Sequence, residues 1–590
     1  MKIKHLFGLA VIAAMTASCS SNEDLGTAGS GTGTNEAGVG YATFTINLPS
    51  TSGSTTSGAR GTRATDAGGG AVVAPGTEDE YKVSDATALI FQKYGANEGS
   101  YKFVESVNLP VTGAWEDAEE GVTKSKKLVA KLTNVDTKNT YGVLVLLNNN
   151  ITGGGVKIAL PTAGLSYKEW NDKILSPNLN ELAKTGEFYM ANAPLCESGK
   201  VTTLVTIDKN KIYATEAEAK TKTSADVYVE RGVAKMSVVA PGTITVKDKA
   251  NPTATPKSEV TFNNWALDIT NKKTFAVHNI DDLSSDFGAI WTTERFTGIN
   301  KRVYWGKDPN YSNELLKKTD TDGDDLRDKE FNFIKATSEI NKAFTDPVYC
   351  LENTFNLANM YQGQTTRVIF KATYAPKADD AAGTSLAESD GTFYTIGNMK
   401  TILKEADLET AVNAAATSVL PGCVVDYDAN LKKEGSHVIT LEDIKENSSS
   451  TTHLDGTAPY SIGTGTKTGN EIVADINAKL GLKAGRPEEM VGINTYAKGV
   501  TYYIARVKHF GSLTDWHSGE SYGDNNAQYL GRYGMLRNNW YELQVGNVYG
   551  PGYPGVPPVD PNQPDDENEK YLSVSVKILS WAKRSDTVDL

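Results

Sequence analysis

Cysteine is scarce, with four residues in 590 (Cys19, Cys196, Cys350 and Cys423), none at metal-ligand or redox spacing from another. That excludes a disulfide scaffold, a zinc ribbon and a CxxC redox centre. Basic charge is in deficit, 59 Lys and Arg against 72 Asp and Glu, giving a net charge of −13 and no footprint for a polyanion. Nucleic acid is therefore not expected as a partner. No segment reaches the roughly 18 consecutive apolar residues of a transmembrane helix, so membrane attachment is expected only through lipid. Histidine is rare as well: His5, His278, His437, His453, His509 and His517 form no HExxH pair. Neither an enzyme nor a bound cofactor is expected.

What the chain has is 39% apolar residues, 54 Gly and 27 Tyr, too apolar for wholesale disorder and enough for sizeable cores. Residues 1–18 read as an export signal, with Lys2 and Lys4, an apolar run from Leu6 to Met15, and the small residues Thr16-Ala17-Ser18. A small triplet ending in Cys19 resembles the lipobox of bacterial lipoproteins, in which the cysteine is acylated. Ser20 to Gly40 is a polar tether. Tyr41 to Leu48 then alternates strictly, with Phe44, Ile46 and Leu48 on one face and Thr43, Thr45 and Asn47 on the other, the period of a β-strand. Immediately afterwards Pro49 to Gly76 is again low in complexity, with Arg60 and Arg63 its only basic residues. A central strand normally leaves through a short turn, so this strand is unusually detached.

Further strands are expected at 85–91, 128–132, 141–147, 200–207, 227–239, 259–270, 367–373 and 500–508, with a broken helix at 167–184 and helices at 331–344, 402–419 and 471–480. The stretch 241–256, rich in Thr, Pro and Lys, reads as a domain boundary. Pro551 to Pro564 reads as a stiff polyproline spacer that holds the end of the chain away from its domain. After it, Leu572, Val574, Val576 and Ile578 alternate with Ser573, Ser575 and Lys577, a second amphipathic strand with no turn to pair it. The expected fold is mainly β.

The two end strands belong together in one argument. Cleavage after an arginine of the 49–76 loop, an exposed tip of small residues, frees the first strand. The groove so opened presents unpaired backbone groups and an apolar trough, and the last strand of a second copy has the alternation to fill it. Donor and acceptor are different surfaces of one chain, so the contact runs head to tail and grows a filament.

The strand YATFTINLP, the loop GARGTRATDA, the segment VERGVAKMSV at 229–238, the stretch RYGMLRNNWYELQV at 532–545 and the tail YLSVSVKILSW at 571–581 together resemble the Bacteroidales fimbrial major subunits of the Mfa1 type, the fimbrillin family. The resemblance implies two transthyretin-like β-sandwich domains with helical insertions and a C-terminal donor strand. The implied division is a signal peptide at 1–18, tether, first strand and propeptide at 19–63, an N-terminal domain at 64–245, a C-terminal domain at 246–550, a spacer at 551–570 and a donor tail at 571–590. It further implies lipidation at Cys19, an Arg-specific protease cutting between Arg63 and Ala64 (or Arg60 and Gly61), displacement of the strand carrying Phe44, Ile46 and Leu48, and polymerisation through Leu572, Val574, Val576 and Ile578. The partners implied are copies of the same chain, accessory or anchor subunits, the protease, a host or bacterial surface receptor, and the outer membrane through the lipid. The precursor is expected on the outer membrane and the mature chain in a surface fimbrium.

Several other constellations are weighed. Asp320, Asp322, Asp324, Asp325 and Asp328 suit calcium chemically, but Gly323 falls fourth where an EF-hand needs its sixth residue, so a solvated turn is expected and no metal. Of Cys196, Cys350 and Cys423, at most two can pair. Tyr502, Tyr503, Trp540 and Tyr541 stand at strand spacing and read as core and rim rather than a glycan platform. The competing function is a monomeric surface lipoprotein, or a fimbrial tip or accessory adhesin, binding glycan or host protein through an exposed aromatic face.

Overall fold

The computed structural model describes residues 33–49, 76–283, 303–316, 326–509, 531–565 and 572–580, less short breaks within these spans. The fold is mainly β. Its first sheet contains β1 (Gly40–Asn47), β2 (Ala86–Gln92), β3 (Lys102–Leu109), β4 (Glu116–Asp117), β5 (Lys124–Leu132), β6 (Tyr141–Leu147), β7 (Met190–Asn192), β8 (Val205–Ile207) and β9 (Ala225–Arg231). The order is β3-β2-β6-β7-β9-β1-β5-β4, with β8 beside β6. β9 is the bend in this path: Ala225 to Tyr228 pair with β1, while Val229 to Arg231 pair with β7. The β1–β5 half and the β2–β6 half share one core, to which Phe44, Ile46 and Leu128 of the first and Leu89, Val143 and Val145 of the second all belong. β6, YGVLVLL, is buried at every position, as a run of β-branched and aliphatic residues between two neighbours requires.

A second sandwich follows from β10 (Ala234–Val238), β11 (Thr243–Thr245), β12 (Glu259–Asp268), β13 (Val348–Cys350) and β14 (Arg367–Ala375), and from three later strands. With β15 (Phe393–Ile396), β16 (Gly435–His437) and β17 (Ile493–Tyr496) set aside as a small separate sheet, these are β18 (Val500–Arg506), β19 (Asn539–Val548) and β20 (Leu572–Ser580). One sheet runs β13-β10-β19-β20 and the other β11-β12-β14-β18. Met236, Tyr541 and Leu543 of the first pack against Phe262, Phe370 and Tyr503 of the second. The chain passes from one core to the other at Gly232 and Val233, inside the stretch expected as a single strand and before the Thr- and Pro-rich segment.

The expected break at Pro177 is present, since 167–184 contains α1 (Tyr167–Asn171) and α2 (Leu179–Leu182). α3 (Glu216–Thr221) follows, and then α4 (Glu405–Val419) and α5 (Gly469–Leu480), which close a third core with β15 and β17. α4 buries Leu408, Val412, Ala416 and Val419, one stripe at helical spacing. α5 begins on a capping box between Thr468 and Glu471 and ends at Gly481 with φ 68°, a conformation that glycine adopts without Cβ strain. The helix expected at 331–344 is absent. Phe331 and Asn332 pair with Asn271 and Thr270, Ile334 N–H donates to the Asp268 carboxylate at 2.8 Å, and Lys342 exchanges backbone hydrogen bonds with Trp265. Its backbone groups are taken by β12 and its extension, and its apolar residues fall into different cores, so their spacing had no helical meaning.

Candidate functional site

β1 is a central strand. It runs antiparallel to β5 along its full length, Gly40 opposite Leu132 to Asn47 opposite Ser125, and parallel to β9 from Phe44 to Asn47. Phe44 and Ile46 are wholly buried and Leu48 nearly so. The other face is covered too, which alternation alone does not reveal. α3 and the turn after it lie against it: the Thr43 hydroxyl donates to Ala219 O at 2.6 Å, Thr43 N–H donates to Ser224 Oγ at 3.0 Å, and Ser224 N–H returns a bond to Thr43 O at 2.8 Å. Thr45 Oγ1 stands 3.4 Å from Thr223 Oγ1. Removing this strand leaves a slot with ladder partners on both sides, an apolar floor and a hydroxyl-lined wall.

The terminal strand lies elsewhere. β20 pairs antiparallel with β19 over its whole length, placing Ile578 opposite Tyr541, Val576 opposite Leu543, Val574 opposite Val545 and Leu572 opposite Val548. All four β19 residues are buried. Among the described residues β20 is the last strand of its sheet and has a single ladder neighbour. A strand expected to have no partner within the chain thus has one, because β19 offers an otherwise open edge.

The expected stand-off spacer is corrected for 551–565, which is strapped to the second sandwich. Tyr553 exchanges backbone bonds with Tyr502 at 2.7 and 2.8 Å. Arg367, held by Asp268 at 2.8 Å, donates to Pro557 O at 2.6 Å and Pro558 O at 3.1 Å. Gln362 N–H donates to Gln563 O at 2.9 Å, and the Thr365 hydroxyl reaches the buried Asp565 carboxylate at 3.1 Å. Proline-rich backbone has no internal hydrogen bonds, so its carbonyls remain available to such donors.

Between the two cores lies a buried polar junction that sequence reasoning missed. Glu80, just past the low-complexity loop, accepts from Lys235 Nζ at 2.7 Å and Tyr349 Oη at 2.6 Å, and its backbone carbonyl accepts from Arg231 Nε at 2.7 Å. Arg537 Nε donates to Glu352 at 3.1 Å, and Asn538, at φ 57°, accepts from Arg231 N–H at 3.1 Å while its own N–H donates to Val233 O. His278 Nδ1 stands 2.8 Å from Glu230, with Glu352 3.9 Å from Nε2. Burial lowers the pKa of His278, but the two carboxylates outweigh it and the result is a rise. Asp308 nearby is pushed up to about 7 by burial. Both family-like segments, 229–238 and 532–545, meet here. The available signal was charge, Glu230, Arg231 and Lys235, inside an otherwise aliphatic strand.

The remaining candidates divide. Cys19, Arg60, Gly61, Arg63, Ala64, Asp320, Asp322, Asp324 and Asp325 lie outside the described residues, as does His517. Asp328 is described and pairs with Lys335 at 2.6 Å. Cys196, Cys350 and Cys423 are all free thiols, and burial pushes Cys350 up to about 12. Tyr502, Tyr503 and Tyr541 are buried in the second sandwich, and Trp540 lies under Lys235 Nζ, 3.9 Å from its ring centroid. His509 is committed to Tyr541 Oη at 2.9 Å.

A family model for the C-terminal part of fimbrillin, the major fimbrial subunit protein type IV, matches residues 494–587, a span that takes in β18, β19, the strap and β20. The match makes this part of the chain fimbrillin-like and supports a fimbrial role, without distinguishing the Mfa1 type. No curated protein matches the chain. Among crystal structures it is similar to a Parabacteroides distasonis protein assigned to cell adhesion, at 12% identity and TM-score 0.33 over 92% of this chain and 99% of that one. It is also similar to a fimbrial assembly protein of the same organism, at 10% identity and TM-score 0.25 over 61% and 93%, and to the tip fimbrial protein Mfa3 of Porphyromonas gingivalis with C-terminal truncation, at 8% and 0.30 over 92% and 100%.

Proposed function

We propose that the chain is a structural subunit of a cell-surface fimbrium that supports adhesion, exported as a precursor lipid-anchored to the outer membrane at Cys19 and polymerised by donor-strand exchange. An Arg-specific protease cuts after Arg63, or after Arg60, and β1 leaves its slot as the terminal strand of another copy enters. Accessory or anchor subunits and a surface receptor are the further partners of such a filament.

The observation that carries this reading is the unequal standing of the two strands. β1 holds two ladders, and burial of Phe44, Ile46 and Leu48 stabilises it by about 5–9 kcal/mol, so a cut alone does not expel it. A competing strand is required. β20 has one ladder at the edge of its own sheet and would have two in the slot. The four residue pairs along β9 are what it stands to gain, with each hydrogen bond worth roughly 0.5–1.5 kcal/mol. The pairing of β20 with β19 is then the resting state of the uncut single chain.

The test uses precursor lacking Cys19, treated with trypsin at low ratio and run without boiling. A ladder that depends on Arg63 and on residues 571–590 is expected, and truncation after Pro564 should leave a folded monomer. A persistent monomer from the cut full-length chain, or full fibres from the truncation, would show the reading to be wrong.

A further inference from the structure

The slot vacated by β1 and the strand proposed to fill it share a pattern finer than alternation. Residues 42–48 read Ala-Thr-Phe-Thr-Ile-Asn-Leu, and residues 572–578 read Leu-Ser-Val-Ser-Val-Lys-Ile. Placed side by side, four apolar positions coincide, both hydroxyl positions coincide, and the remaining position is polar in each. Resting on the donor-strand reading, we propose that exchange occurs in one direction and one register: the incoming strand of a second copy runs as β1 runs, with Leu572 in the place of Ala42 and Ile578 in that of Leu48. Ser573 takes over the Thr43 bond to the Ala219 carbonyl, and Ser575 stands in the place of Thr45 beside Thr223.

The buried wall of the slot is what selects this register. A slip of one residue turns the aliphatic set toward α3 and leaves Ser573, Ser575 and Lys577 over the apolar floor. A two-residue slip that brings Ser573 to the Thr45 position carries Lys570 to that of Ala42, which is 0% exposed. The opposite two-residue slip brings Lys577 to the Thr45 position and Ser580 to that of Leu48, which is 2% exposed. Only the unslipped register seats four apolar residues on the floor and a small hydroxyl at Thr43, 1% exposed. Leu572 with Val574 in place of Ala42 with Phe44 moves bulk between adjacent positions of one face and leaves the summed volume similar, the kind of exchange that cores accept. The slot also has a stop. At Gly40 an added Cβ would meet Ile212 Cγ2 at 2.5 Å, so the ladder begins after that point and the acidic linker must turn away there.

Cross-linking tests the register. Thr45 lies opposite Lys127 of β5, which is exposed, and directly opposed Cα atoms lie about 4.5–5.5 Å apart, within disulfide reach. In trypsin-cut full chain, S575C with K127C should give ladders that survive boiling without reductant and vanish with it, at least about tenfold above S573C with K127C or K577C with K127C. Uncut precursor should give none. Unboiled ladders whose strongest cross-link falls in one of the other pairs, or in no pair, overturn the register while leaving donor-strand exchange standing. Absence of unboiled ladders from the cut parent chain overturns both. For the hydroxyl, S573V should slow ladder growth about fivefold, since Ala219 O would lose one of its two donors, and S573T should restore it. Equal rates for S573V and the parent chain would remove Ser573 from the recognition.

Discussion

Glu80 Oε1 lies 2.7 Å from Nζ of Lys235, and the two side chains are 3% and 5% exposed. The contact ties the chain just beyond the low-complexity loop to β10, in the second sandwich, while β1 lies before that loop and the strands that line its slot, β5 and β9, lie after it. Release of β1 therefore leaves the start of the remaining chain anchored at the junction of the two cores.

Lys235→Ala takes the ammonium group from the buried Glu80 carboxylate, which Tyr349 Oη also contacts. Loss of one partner of such a pair is expected to cost about 3–5 kcal/mol. Lys235→Met, which keeps the stem against Trp540, should be destabilised by a similar amount unless Glu80→Gln accompanies it, because the stranded charge is the principal cost. Chemical denaturation of the two single variants and the double variant measures the coupling.

Arg367 fixes the strap through Pro557 and Pro558 and neutralises Asp268, which is 1% exposed. Arg367→Ala is expected to destabilise the chain by about 3–5 kcal/mol and to raise amide exchange across 551–565 before global unfolding. Arg367→Lys keeps the charge but cannot span Asp268 and both carbonyls with one planar group, so it should restore stability in part and strap protection hardly at all. Hydrogen exchange read by mass spectrometry separates the two effects.

The junction makes stability depend on pH with a definite sign. Asp308 stands at about 7 in the folded chain against an ordinary 3.8, and His278 stands above its ordinary 6.5. Both bind protons more tightly folded than unfolded. Their contribution is therefore present at low pH and is lost as pH rises, through roughly 4 to 7 for Asp308 and from 6.5 upward through the raised pKa for His278. Asp308→Asn should flatten the lower part of the Tm profile relative to the parent chain, and His278→Gln the upper part. Calorimetry across about pH 4.5 to 8.5 checks both.

The strands of this molecule were legible where period and burial agree. Tyr141 to Leu147, Arg367 to Thr373 and the first strand stand within a residue or two of their sequence limits, because a β-strand's side-chain period is written directly into the chain. α4 and α5 were legible for the same reason at period 3.6. The stretch 331–344 was not: its spacing suggested a helix, while its backbone was claimed by Asp268, Trp265 and Thr270, partners distant in sequence.

The sequence alone settled the mainly β composition, the amphipathic character of both end strands and the matched hydroxyl and apolar positions they carry, since these are local patterns of residue type. Tertiary structure decided what lies beside each. It placed β1 between two ladders and under α3, laid β20 on the edge of β19, turned a proline-rich spacer into a strap held by Arg367, and gathered Glu80, Lys235, His278 and Arg537 into one buried junction. Neighbours of that kind arise from chain closure over tens to hundreds of residues, and local periodicity carries no information about them.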